Sequence, residues 1–165
     1  TYRFLFLPET IGSIAYLSKM KNLLMKNVIA GYVLTCIGDE RNYSFLESKE
    51  KNSLSNIVAK FILKSKKNAK IFDWLKRGSD ERQFCSPGID LPVASIMRTK
   101  YGEYPEYHTS LDKIGKVVTK KGLNGSLKLL KKIIGEIEKQ NFPVATNFCE
   151  PILTKKKMYT RHSKC

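Results

Sequence analysis

The chain has 165 residues, with 30 Lys and Arg against 15 Asp and Glu, for a net formal charge of +15. That length suits one compact domain with a real core, and 42% hydrophobic with 27% charged residues excludes a disordered or fibrous chain. No apolar run is long enough for a membrane span. The positive charge is lysine scattered along helices and loops, without an RNA-binding aromatic signature, a zinc finger or a Gly-rich phosphate loop, which argues against nucleic acid as the partner.

Residues 2–7 are an apolar, aromatic-rich run that reads as a buried strand. The chain starts inside this run, without an initiator methionine or signal peptide, so the sequence is expected to be a piece of a longer protein. Residues 10–26 carry Ile11, Ile14, Ala15, Leu17, Leu24 and Met25 at helical spacing. Residues 28–37 read as a second buried strand, stopped by Gly38-Asp39. A second helix over 53–64 places Leu54, Ile57, Val58, Phe61 and Ile62 on one face. A short strand at 69–75, a turn-rich loop at 76–91 and a third buried strand at 92–97 follow. A Tyr-rich loop spans 98–112. The last helix, 120–139, has Leu123, Leu127, Leu130, Ile134 and Ile137 in register and ends before Pro143. A basic extension, 144–165, is set apart from the domain at 1–143.

Strands alternating with helices imply an α/β fold of three layers, α/β/α, around a mostly parallel central sheet. Chemistry in such sheets collects at the carboxyl ends of strands, where Glu9, the Asp80 loop and the His108 loop are expected. The four cysteines, Cys36, Cys85, Cys149 and Cys165, include no C-x-x-C pair and read as reduced thiols of a cytoplasmic protein.

Glu9 follows a strand and opens a helix, where a carboxylate is stabilised whether or not it does chemistry. His108 could hold a metal through a neutral imidazole, with Asp112 orienting its ring. Taken alone, it is more simply a surface histidine. His162 has no such setting. Asp80, Glu81 and Arg82 crowd one loop, which is either a solvated ion-pair cluster or a site wall.

Their order adds to these single signals. Phe6-Leu7-Pro8-Glu9-Thr10-Ile11-Gly12-Ser13, then Gly78-Ser79-Asp80 with Gly88-Ile89-Asp90-Leu91-Pro92, then Tyr107-His108-Thr109-Ser110-Leu111-Asp112 resembles the zinc aminopeptidase family that includes bacterial leucyl aminopeptidases and glutaminyl cyclases. Residues 80–88 and 97–110 more specifically resemble a bacterial branch of that family filed as a domain of unknown function; the match runs from about Tyr2 to Phe142.

The resemblance implies a zinc exopeptidase-like fold that is N-terminally incomplete here. The family's first two metal ligands, a His and a bridging Asp, precede the Glu motif, and so would lie in a missing N-terminal segment of the same protein. Thr10 stands where the family has a second Glu, and Thr35 or Cys36 where a strand ends in an Asp ligand, so one zinc ion is expected rather than two. By resemblance Glu9 is the general base and His108 a metal ligand. Asp80, Glu81, Arg82 and Tyr107 line the site of a peptide or amino-acyl substrate, with Arg82 suited to a substrate carboxylate through its planar fork. The full-length protein would be the hydrolase and this chain alone inactive. The other reading is a non-catalytic binding domain whose basic face holds nucleic acid or an acidic partner.

Overall fold

A computed structural model describes residues 1–140. The basic extension, including His162, lies outside the described residues. The elements are α1 (Ile11–Asn27), β1 (Gly31–Leu34), β2 (Tyr43–Leu46), α2 (Leu54–Leu63), β3 (Ala69–Phe72), a 3-10 turn (Trp74–Lys76), α3 (Glu81–Phe84), β4 (Val93–Met97) and α4 (Lys120–Glu138).

The four strands form one sheet in the order β1-β4-β2-β3. β1 pairs parallel with β4 and β2 with β3, while β2 and β4 are antiparallel. β4 is buried along its whole length, as expected of a central strand covered on both faces. Its side chains alternate between two cores. Ala94 and Ile96 join Phe45, Val58, Ala59, Leu63, Leu129 and Ile133 beneath α2 and α4. Val93 joins Leu17, Leu24, Phe84, Cys85 and Leu91 on the α1 and α3 side. The expected three-layer α/β/α arrangement is therefore present. None of the described helices is long and apolar enough to cross a membrane.

Three expectations change in detail. Residues 2–7 form no strand, and Phe4 and Phe6 are 70% and 94% exposed. Apolar composition makes a strand only where a neighbour takes up the backbone hydrogen bonds, and no described strand pairs with this run. β2 is unannounced in the sequence. At four residues it is too short to show a period, yet it supplies Phe45 and Leu46, both fully buried.

The helices lie where expected, but turned. α2 buries Ser55, Asn56, Val58, Ala59 and Leu63 while Ile57 and Phe61 are exposed. Polar bonds fix that rotation. Ser55 Oγ donates to the Pro92 carbonyl at 2.5 Å, and Asn56 takes Ser48 N–H at 2.8 Å and donates to the Glu50 carbonyl at 2.8 Å. α4 buries Gly122, Ser126, Leu129 and Ile133, leaving Leu123 and Leu127 exposed. Gly122 lets the helix seat on Gly38, whose carbonyl oxygen would stand only 1.9 Å from a Cβ at 122. Ser126 Oγ donates to the Ile37 carbonyl at 2.6 Å. Backbone approach and hydrogen bonds outrank the most apolar stripe in both helices.

Candidate active site

The entry to α1 is a strained turn. Ile11 N–H donates to the Glu9 carbonyl at 2.7 Å, closing a three-residue turn on Thr10, whose φ is 63° and ψ −66°. That is the rare positive-φ γ-turn, worth on the order of 1–3 kcal/mol of strain at a residue with a side chain. The 78–91 loop holds it in place. Asp80 Oδ1 accepts Thr10 N–H at 2.7 Å, and Arg82 Nη2 donates to Thr10 Oγ1 at 3.1 Å. Gly12 N–H bonds back to the Pro8 carbonyl at 2.9 Å. A side chain at Gly12 is barred, since its Cβ would lie 2.7 Å from Pro8 Cδ.

The turn presents Glu9 at the surface. Ser79 Oγ donates to Glu9 Oε1 at 2.8 Å, and Oε2 takes no hydrogen bond from the described residues. Ser79 is itself held from below. Its backbone N–H and that of Gly78 donate to Glu81 Oε1 at 2.9 and 2.8 Å, Tyr101 OH reaches the same oxygen at 3.2 Å, and Ser95 Oγ donates to Oε2 at 2.7 Å.

Glu81, expected in a substrate-binding wall, is instead fully buried and engaged through both oxygens. It ties the 78–91 loop to β4 and to the Tyr-rich loop. That tie matters because β3 runs antiparallel to β4. The carboxyl ends of these two strands point opposite ways, and strand polarity alone would not bring their loops together.

The Tyr-rich loop completes the neighbourhood. Tyr107 stacks on His108 with ring centroids 4.0 Å apart, meets Tyr104 edge-on at 5.6 Å and Tyr101 at 6.5 Å. Burial, and then the charges of Cys36 and Glu9, push the Tyr107 phenol up from its ordinary value. His108 is exposed and has a φ of 58°, a conformation uncommon outside glycine. Asp112, expected to orient His108, instead accepts from Tyr104 OH at 2.8 Å. The same hydroxyl contacts Cys36 Sγ at 3.5 Å. Cys36, two residues past β1, has a φ of 47°. Thr10, Cys36 and His108 are thus three positive-φ residues around one network.

Sequence reasoning singled out Glu9, Asp80, Arg82, Tyr107 and His108; the structure bonds Asp80 and Arg82 to Thr10 beside Glu9 and stacks His108 on Tyr107, with no hydrogen bond between the two groups among the described residues. It missed Ser79 as a partner of Glu9, and Tyr101 and Tyr104 as supports. The Gly-Ser-Asp string held Ser79, but a serine pointing at an acid 70 residues away leaves no local signal.

Zinc is what the resemblance implies. Among the described residues, no three His, Cys, Asp or Glu side chains gather as a metal site, whereas catalytic zinc usually takes three protein ligands. The donors of this chain, His108 and Glu9, therefore do not by themselves fit a complete zinc centre. Cys36 and Cys85 are unpaired thiols. Cys85 Sγ donates to the Leu91 and Val93 carbonyls at 3.1 Å, and burial pushes its thiol up.

The sequence profile described as "Domain of unknown function (DUF4910)" matches residues 1–140. The chain belongs to this family. A Clostridium acetobutylicum protein, provisionally named for polysaccharide biosynthesis and an aminopeptidase-like domain, is 42% identical to the DUF4910 chain over 161 residues, covering 96% of this chain and 36% of that protein. A crystal structure from the same organism, provisionally named a peptidase, superposes with a TM-score of 0.78 at 41% identity over 93% of this chain and 36% of that one. The DUF4910 chain thus spans about a third of the length of these relatives. The zinc aminopeptidase BSAP from Bacillus subtilis shares the fold, with a TM-score of 0.63 at 15% identity over 79% of this chain and 34% of that one. So does an aminopeptidase from Aneurinibacillus sp. strain AM-1, with a TM-score of 0.62 at 18% identity over 76% of this chain and 30% of that one.

Proposed function

We propose that the DUF4910 chain contributes the base and one wall of the active site of an aminopeptidase-like hydrolase, with peptides or amino-acyl compounds as substrates. The observation that carries this reading is Glu9, an exposed carboxylate raised on a strained turn, with one oxygen held by Ser79 and the other open. A base needs that combination of fixed direction and a free lone pair. Glu9 takes a proton from the attacking water and returns it to the departing amine.

Asp80 and Arg82 keep Thr10, and so Glu9, in place. The exposed Arg82 guanidinium also has donors left for a substrate carboxylate. Tyr107 keeps its proton, because burial lifts its phenol, and so it serves as a hydrogen-bond donor, while the Tyr104 proton is given to Asp112. His108 supplies at most one nitrogen ligand of a metal centre whose other ligands would come from outside the described residues.

The test uses the full-length protein, with zinc content and aminopeptidase turnover measured together. Glu9→Gln is expected to leave bound zinc near wild type and to lower kcat by roughly 10²–10⁴, the range for a lost acid–base group. His108→Ala is expected instead to deplete the metal, with turnover falling alongside it. If Glu9→Gln strips the metal equally, Glu9 is a ligand and not the base. If neither change alters metal or turnover, the hydrolase reading falls.

A further inference from the structure

Arg98 follows β4, and by the alternation of the strand it continues the Ala94–Ile96 face, under α4. That is the face of the sheet opposite Ser95 and its partner Glu81. Only 6% of Arg98 is exposed, its Nε is buried without a hydrogen-bond partner, and no described residue accepts from its guanidinium. The guanidinium lies 3.9 Å over the Tyr43 ring. A buried cation without a hydrogen-bonded acidic partner is expensive, and stacking on an aromatic ring returns only part of that loss.

The same side chain lines a cleft of about 620 Å³ with Tyr43, Lys120, Lys121, Gly125 and Lys128. Glu40, also at the cleft, is taken by Lys121 at 2.6 Å and by Thr119 Oγ1 at 2.7 Å. Lys120 and Lys128 are left with no carboxylate partner among the described residues, and Arg98 feels the Glu40 charge only through space, without a hydrogen bond to it. The cleft runs along the first turns of α4, whose positive dipole end adds to the field.

Gly125 belongs to the same arrangement. It sits inside α4, where glycine is less stable than alanine by roughly 0.5–1 kcal/mol. A Cβ at 125 would stand 2.9 Å from both Arg98 Nη1 and Tyr43 OH. The missing side chain leaves room for the guanidinium and the phenol to pack against α4 and so fixes where the guanidinium lies.

We propose that this cleft binds a phosphomonoester dianion, held by the Arg98 guanidinium fork with Lys120 and Lys128 closing over it and Tyr43 OH and Asn124 as neutral contacts. Arg98 offers the planar paired donors that suit phosphate. A volume of about 620 Å³ leaves room for an organic body beyond the phosphate itself.

Isothermal titration of the full-length protein at low ionic strength, where screening is weak, tests this with inorganic phosphate and with glycerol 3-phosphate. Both are expected to bind, and the tighter of the two shows whether the free ion or an esterified phosphate is the better fit. Arg98→Lys and Gly125→Ala are each expected to weaken binding roughly tenfold or more, the scale for losing charged hydrogen bonds. Gly125→Ala is the discriminating variant, because alanine favours the helix and only side-chain tips stand in its way, so circular dichroism and melting temperature should be kept. Absence of binding by either probe at millimolar concentration overturns the proposal. So does binding that Lys120→Gln and Lys128→Gln weaken but Arg98→Lys and Gly125→Ala leave intact, since that is diffuse attraction to surface lysines.

Discussion

Ser79 Oγ donates a 2.8 Å hydrogen bond to Glu9 Oε1, joining residues 70 apart in sequence. The serine that aims this carboxylate is pinned by its own N–H to the buried Glu81. Ser79 is therefore a positioning residue, acting on substrate only through Glu9. Ser79→Ala in the full-length protein should lower kcat about tenfold, on the scale of one hydrogen bond to a charged group, with KM nearly unchanged. An equal loss in kcat and in folding stability, or a change confined to KM, would assign Ser79 a structural or substrate-contact role.

Glu81 separates hydrogen bonding from charge. Glu81→Ala leaves the N–H groups of Gly78 and Ser79 and the hydroxyls of Tyr101 and Ser95 without their acceptor. The expected loss in urea unfolding is at least about 3 kcal/mol, several buried donors being orphaned at once. Glu81→Gln can keep the amide oxygen on the first three donors and turn its NH2 toward Ser95 Oγ. Its loss should be nearer about 1 kcal/mol. Equal losses for the two variants would show that the charge, and not the count of acceptors, holds the loop.

Gly12→Ala sets helix propensity against space. Alanine favours a helix interior by about 1 kcal/mol, but its Cβ would meet Pro8 Cδ at 2.7 Å and Leu7 Cβ at 3.0 Å. A clash with the ring and stem of the fold-back should prevail, for a net loss of roughly 1–3 kcal/mol, and turnover should fall because Glu9 moves with the turn. A stabilised variant with unchanged turnover would mean that the turn before α1 is freer than its hydrogen bonds indicate.

The tyrosines predict an alkaline limit. Burial, then the Glu81 charge and hydrogen bond, raise the Tyr101 phenol. Burial, then hydrogen bonds with Cys36 and Asp112, raise that of Tyr104. Both are raised above the ordinary phenol value of about 10, so the folded state holds these protons more tightly than the unfolded one. Their contribution is therefore fully present below about pH 10 and is lost as pH rises through the raised values. Urea midpoints should be level up to about pH 10 and fall above it, with phenolate absorbance for these two rings appearing only as the fold is lost. Phenolate formation at the ordinary value without loss of stability would contradict their burial.

The sequence determined the class of fold and the positions of the helices. Periodic apolar residues and the signals at their ends depend on a few neighbours along the chain, so α1, α2, α4 and β4 lie within a few residues of where the pattern puts them. It also marked Glu9, Asp80, Arg82, Tyr107 and His108, because strings such as Gly-Ser-Asp and Tyr-His-Thr-x-x-Asp are written locally. Only the tertiary structure decided what depends on contacts between distant residues. It left residues 2–7 without a strand partner, gave β2 a place through its pairing with β4, and turned α2 and α4 so that Asn56, Gly122 and Ser126 lie inward. It also sent Glu81 into the interior and gave Asp112 to Tyr104. A buried carboxylate and a surface one read alike in a sequence, since burial is set by what packs above them. The Arg98 cleft is of the same kind. An arginine after a strand is unremarkable until β2, α4 and the gap at Gly125 close around it and leave its charge without a hydrogen-bonded acidic partner.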